Sequence, residues 1–177
     1  MNLDKLKYPI GKFVAPEKIS DQRLKEAIAD IGALPEKLQD AIKLLGTDGL
    51  EIAYRPGGWN GRQVIHHIAD SHLNALVRFK LALTEENPTI KPYREDLWSA
   101  LADYAAPVDH SLQLIASIHS RWHLLMTSMS EEQWARTFYH PENKLSITLN
   151  RNALLYQWHG NHHLGHLNLI SSPPSIF

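Results

Sequence analysis

The chain has 177 residues, 44% of them apolar and 21% charged, and a formal net charge of −1. That is one domain's length and an ordinary globular composition, with no basic excess for nucleic-acid phosphates. Cysteine is absent, which excludes disulfides, thiolate metal ligands and a protein thiol nucleophile. No apolar run approaches the ~20 residues that span a bilayer, and residues 1–9 hold no apolar signal core. The expectation is one cytoplasmic domain over residues 1–177, without membrane contact.

Residues 1–19 carry Pro9, Gly11 and Pro16 with little periodicity and read as an extended arm lying on the domain. Ser20 is placed to cap a helix from Asp21, along which Leu24, Ala27, Ile28, Ile31, Leu34, Leu38, Ile42 and Leu45 recur at helical spacing. Pro35 is expected to kink or interrupt that helix and Gly46 to end it. After the turn Pro56-Gly57-Gly58, Asn60 and Gln63 have capping-box spacing and open a proline-free helix over residues 61–84, which Asn87, Pro88 and Pro92 break.

Residues 87–107 form a long connection with room for a short helix around 96–101. A third long helix follows Pro107 to about residue 129, with Leu112, Ile115, Ile118, Trp122, Leu125 and Met126 as its apolar stripe. Ser130-Glu131-Glu132-Gln133 is a second capping box and opens a short helix. Residues 138–149 read as a small hairpin or irregular excursion around Pro141-Glu142-Asn143-Lys144. Asn150 or Asn152 caps a last helix to about residue 170, stopped by Ser171-Ser172-Pro173-Pro174. Four long amphipathic helices make an all-α four-helix bundle, and the long connections leave room for crossover topology. No nucleotide-binding glycine motif and no G-x-S-x-G elbow occurs.

The histidines are unevenly spread. Of 11, His66, His67 and His72 form one group, and His159, His162, His163 and His166 another. At about 100° per residue the second group occupies one helix face, an arc of roughly 100°. His159 with His163, or His162 with His166, has the i, i+4 spacing that lets two imidazoles converge on one ion; spacing alone leaves both pairs open, with the first group offering a third ligand. Three nitrogen ligands leave a position open for a reactant, and a nitrogen-rich site suits zinc, nickel, cobalt or iron. The bland alternative is a polar stripe or an interface.

His110, His119, His123 and His140 read as ordinary histidines with local partners. Asp70 and Asn74 could orient a ligating imidazole, Trp98 could line a pocket, and Arg62, Arg78 and Arg94 could meet an anionic group, although solvated surface is the default for each. Gly160 and Gly165 mark either space for a ligand or close helix packing.

Three segments resemble the DinB/YfiT-like superfamily, above all its YfiT branch of metal-dependent hydrolases. They are Tyr54-Arg55-Pro56-Gly57-Gly58-Trp59, the run from Arg62 through His66-His67-Ile68-Ala69-Asp70-Ser71-His72, and Tyr156-Gln157-Trp158-His159-Gly160-Asn161-His162-His163-Leu164-Gly165-His166. The resemblance implies a four-helix bundle holding one divalent ion, zinc or nickel, on three histidines. It places the first ligand eight residues after the Gly-Trp turn, at His67, and the others in a W-H-x-x-x-H pattern, at His159 and His163. It leaves His66, His162 and His166 without a role. It implies hydrolysis of a small molecule by activated water, or transfer of a low-molecular-weight thiol such as bacillithiol to an electrophile; a third reading is a non-catalytic, stress-associated metal-binding bundle. The branch also suggests a homodimer.

Overall fold

The computed structural model describes residues 3–172. The N-terminal arm is not wholly extended: it begins with one helical turn, α1 (Leu3–Lys7), and continues without regular structure to Ser20. Burial of Leu6 explains the difference, since five residues have too little helix propensity to hold a turn without tertiary contact. Beyond α1, Trp158 Nε1–H donates to the Gly11 carbonyl at 3.1 Å. A Cβ on Gly165 would stand 2.8 Å from Pro9 Cγ.

The first long helix, α2 (Asp21–Gly49), is capped by Ser20, whose hydroxyl accepts from the Arg23 N–H. Pro35 lies inside α2 without breaking it; the non-helical residue is Gly46, with φ 66° and ψ 176°. Pro35 removes the N–H that would bond to the Ile31 carbonyl, and that carbonyl instead accepts from His119 Nδ1–H at 2.6 Å. The next helix, α3 (Gly61–Thr84), starts with the expected capping box on Asn60 and Gln63.

The long connection holds α4 (Glu95–Trp98) and a 3₁₀ turn (Ala102–Ala105) that periodicity did not announce. Then follow α5 (Val108–Thr127), α6 (Glu131–Ala135) with its Ser130 capping box, and an antiparallel hairpin of β1 (Thr137–His140) and β2 (Leu145–Thr148). The hairpin pairs buried Phe138 with buried Ile147. The last helix, α7 (Leu149–Ser171), follows at once, so its cap is Thr148, without a side-chain cap bond, and not Asn150 or Asn152. Asn150 instead accepts from the Thr148 hydroxyl at 2.6 Å. The stop expected at Pro173 and Pro174 lies outside the described residues.

α2 packs on α5 and α7, and α3 packs on the same two helices. Consecutive α2 and α3 are therefore diagonal, the crossover order that the long connections permit. The core has two clusters, one around Phe79, Trp122 and Phe138 and one around Leu38, Ile65 and Ile115. Along α3 the clusters change over between Ala69 and Ala75, and along α7 between Tyr156 and Leu167. Those stretches carry or flank the histidines. Gly160 belongs to packing, since a Cβ there would lie 2.7 Å from Leu34 Cδ2. No helix among the described residues is long and apolar enough to cross a membrane.

Candidate metal centre

Helix periodicity turns His67 of α3 toward α7, whose His159 and His163 lie one turn apart on the facing side. One nitrogen from each of the three lies within 4.8 Å of the other two. His67 Nε2 and His159 Nε2 are 3.2 Å apart. Ligand nitrogens held tetrahedrally at Zn–N lengths stand about 3.3 Å from one another, so this edge already fits. The ring of His163 lies with its centroid 4.8 Å from that of His67 and 4.5 Å from that of His159. His162, His163 and His166 form a second grouping by the same distance criterion, so both pairs left open by helical spacing have a geometric counterpart.

Burial makes these rings neutral. Desolvation, reinforced by His162 and His166, lowers His67 to about 4. It drives His159 and His163 well below the ordinary imidazole range, with their histidine neighbours adding to the effect. Neutral imidazoles present the lone pairs that a cation requires. His67 Nδ1 is buried and has no hydrogen-bond partner among the described residues.

The rings line a cavity of about 500 Å³, walled by Tyr8, Tyr54, Arg55, Trp59 and Trp158. Trp59 stands 4.6 Å from the ring of His67, and Tyr54 stacks at 3.8 Å on His166. A smaller cavity of about 200 Å³ is also bounded by His67 and His159, and is lined by Ser71, Arg78, Tyr93, His140 and Glu142. Glu95 lines both. Desolvation raises its carboxyl above the ordinary range, with the nearby charges of Asp96 and Glu142 adding to the effect.

Other candidates fall elsewhere. His66 points away from His67 and bonds to Ser111 Oγ at 2.7 Å and the Ala106 carbonyl at 3.1 Å. Asp70 accepts from Tyr104 O–H at 2.7 Å, and Asn74 donates to the Asp70 carbonyl, so neither is seen bonded to a ring of the cluster. Trp98 packs on Tyr93; Trp59 and Trp158 are the cavity tryptophans. Arg62 pairs with Glu51 and Arg94 with Asp96, while Arg78 reaches the small cavity. His119, read as ordinary, is buried and bonded to His72 at 2.8 Å. A signal existed: it sits on the apolar stripe of α5, between Ile115 and Trp122.

Residues 31–167 match the DinB superfamily. A protein of Oceanobacillus iheyensis, named as an inferred metal-dependent hydrolase, is 48% identical over 164 residues, covering 93% of this chain and 95% of its own. One from Bacillus cereus with the same inferred activity is 46% identical over 171 residues, covering 95% and 96%. Among solved structures, YfiT from Bacillus subtilis, described as a probable metal-dependent hydrolase with an unusual four-helix bundle topology, superposes with a TM-score of 0.91 at 43% identity, over 94% of this chain and 96% of that one. A mycothiol-dependent maleylpyruvate isomerase shares the fold with a TM-score of 0.66 at 16% identity, over 81% of this chain and 60% of that one.

Proposed function

The chain belongs to the DinB superfamily, and on that premise we propose that it is a metal-dependent hydrolase in which His67, His159 and His163 hold one zinc or nickel ion. The observation that carries this reading is the meeting of three neutral imidazoles, two of them 3.2 Å apart, beside a cavity of about 500 Å³. Three protein ligands leave one position of a tetrahedral site for a reactant. When bound, the ion supplies Lewis acidity, which acidifies water and polarises a substrate oxygen.

The chain's residues do the rest. Tyr8, Tyr54, Trp59 and Trp158 give the cavity an aromatic wall on which an apolar part of a substrate can pack. Lys7 and Arg55 at the same cavity offer charge to an anionic part of a small substrate. Glu95, shared by both cavities and held above the ordinary carboxyl range, is placed to take a proton from the attacking water and return it to the leaving group.

Elemental analysis of the purified protein, beside assays on a panel of small esters and amides with zinc or nickel, tests the reading. His163→Ala is expected to reduce bound ion to a small fraction of wild type while the helical circular-dichroism signal survives; undiminished ion content would overturn the assignment. Since the chain has no cysteine, a reactive thiol would have to enter as cosubstrate. Ion-dependent consumption of bacillithiol with an electrophile, without hydrolysis, would replace the hydrolase reading by thiol transfer. Ion binding with neither turnover would leave a non-catalytic bundle.

A further inference from the structure

We propose that two histidine relays, each begun by a backbone carbonyl that its own helix leaves unused, preset His159 and His163 with the lone pair on Nε2. The inference rests on the metal reading above and concerns residues that never touch the ion.

The first relay starts at Ile31. Its carbonyl lacks the usual helical donor because Pro35 stands four residues on. A carbonyl can only accept, so His119, 2.6 Å away, must donate from Nδ1. A neutral imidazole with a proton on Nδ1 accepts at Nε2, and His119 Nε2 faces His72 Nδ1 at 2.8 Å. His72 therefore donates from Nδ1 and accepts at Nε2, which faces His159 Nδ1 at 3.2 Å. His159 donates in turn, and its Nε2, the atom that faces His67, keeps the lone pair.

The second relay starts at Lys7, the last residue of α1, whose carbonyl has no following helical turn to bond. His166 Nε2 lies 3.2 Å from it and must donate. His166 Nδ1 then accepts, and the atom facing it at 3.2 Å is His163 Nδ1. His163 thus carries its proton on Nδ1 and offers Nε2. The same logic decides between the two histidine groupings: His166 has both nitrogens engaged and no lone pair left for a second ion. His72, His119 and His166 are positioning residues. His67 is set the other way: its Nε2 lies 3.2 Å from the His159 lone pair and donates to it in the metal-free chain, while its Nδ1 has no partner among the described residues, so an ion that takes Nε2 must send that proton to Nδ1.

Imidazole nitrogen NMR on chelator-treated, ¹⁵N-histidine-labelled protein reads this directly. His72, His119, His159 and His163 are expected to carry the proton on Nδ1, the minor tautomer of free histidine, and His166 on Nε2. Adding zinc should shift the Nε2 resonances of His159 and His163 while their proton stays on Nδ1, move the proton of His67 from Nε2 to Nδ1, and saturate at one ion per chain. His119→Phe and His166→Phe, which keep ring volume but remove the relay, should each weaken zinc binding about 10–100-fold and mix the tautomers of His159 or His163 respectively. A proton on Nε2 of His159 or His163 in the metal-free wild type would overturn the proposal whether or not the variants fold, as would two folded variants with wild-type zinc affinity. Wild-type protein with the expected tautomers but no affinity for zinc or nickel would leave the relays standing and overturn the metal reading instead.

Discussion

Glu95 is the carboxylate on which the proposed chemistry makes its sharpest demand at the scale of a single residue. It lines both cavities, and desolvation there, with Asp96 and Glu142 close by, raises its carboxyl. Positioned acid–base groups contribute about 10²–10⁴ in rate. Glu95→Gln should therefore lower kcat on any hydrolysed ester by that order, while elemental analysis finds the ion content of wild type; unchanged kcat would remove Glu95 from the mechanism. Residues differ in how far their sequence neighbourhood announces them. Helical spacing puts His159, His162, His163 and His166 on one face without choosing a pair, and it is the resemblance to the DinB/YfiT-like superfamily, not spacing, that implies His67, His159 and His163. The place of His119 on the apolar stripe of α5 marks it as buried, but its partners Ile31 and His72 lie 88 and 47 residues away and no local pattern names them.

At the scale of elements, local rules succeeded where both partners of an interaction lie within a few residues. The capping boxes at Asn60 and Ser130 are of this kind. Pro35 shows the limit: a proline there predicts a kink or an interruption, yet α2 runs through it, and the Ile31 carbonyl that it frees accepts from His119 of α5. The break falls at Gly46 instead, where φ 66° and ψ 176° lie in a region that essentially only glycine enters. A Cβ there would meet nothing within 4 Å, so the cost of Gly46→Ala is backbone strain alone. A loss of about 1–3 kcal/mol is expected in urea unfolding; a neutral result would mean that the chain straightens the end of α2 without penalty. α1 was missed because a five-residue helix owes its existence to the burial of Leu6.

For the whole molecule, burial of the histidine cluster couples stability to pH, and the proposed metal centre would couple it to the ion as well. In the folded chain His67, His119, His162 and His166 titrate at about 4, against an ordinary value of 6.5, chiefly through burial. As pH falls through 6.5 the unfolded chain takes up protons that the folded chain refuses. Stability of the metal-free protein should thus be level above that point and decline toward about pH 4. Urea melts across this range check it, and a flat profile would contradict the burial of neutral rings. Zinc at a hundredfold excess over its Kd should add about 2.7 kcal/mol, a rise in Tm of about 5–10 °C for a chain of this length. The increment should shrink in acid, where protons compete for the same nitrogens.

Much of the bundle was written along the chain. Apolar spacing, caps and breakers act over three or four residues, so four long helices and a face of histidines could be read off in order, with the stretch before the last helix legible only as a hairpin or an irregular excursion. The diagonal placement of α2 and α3, the depth at which the rings lie, and their partners belong to another level. They arise from packing between segments distant in sequence, where an unused carbonyl in one helix meets an imidazole from another, and no short-range pattern encodes that meeting.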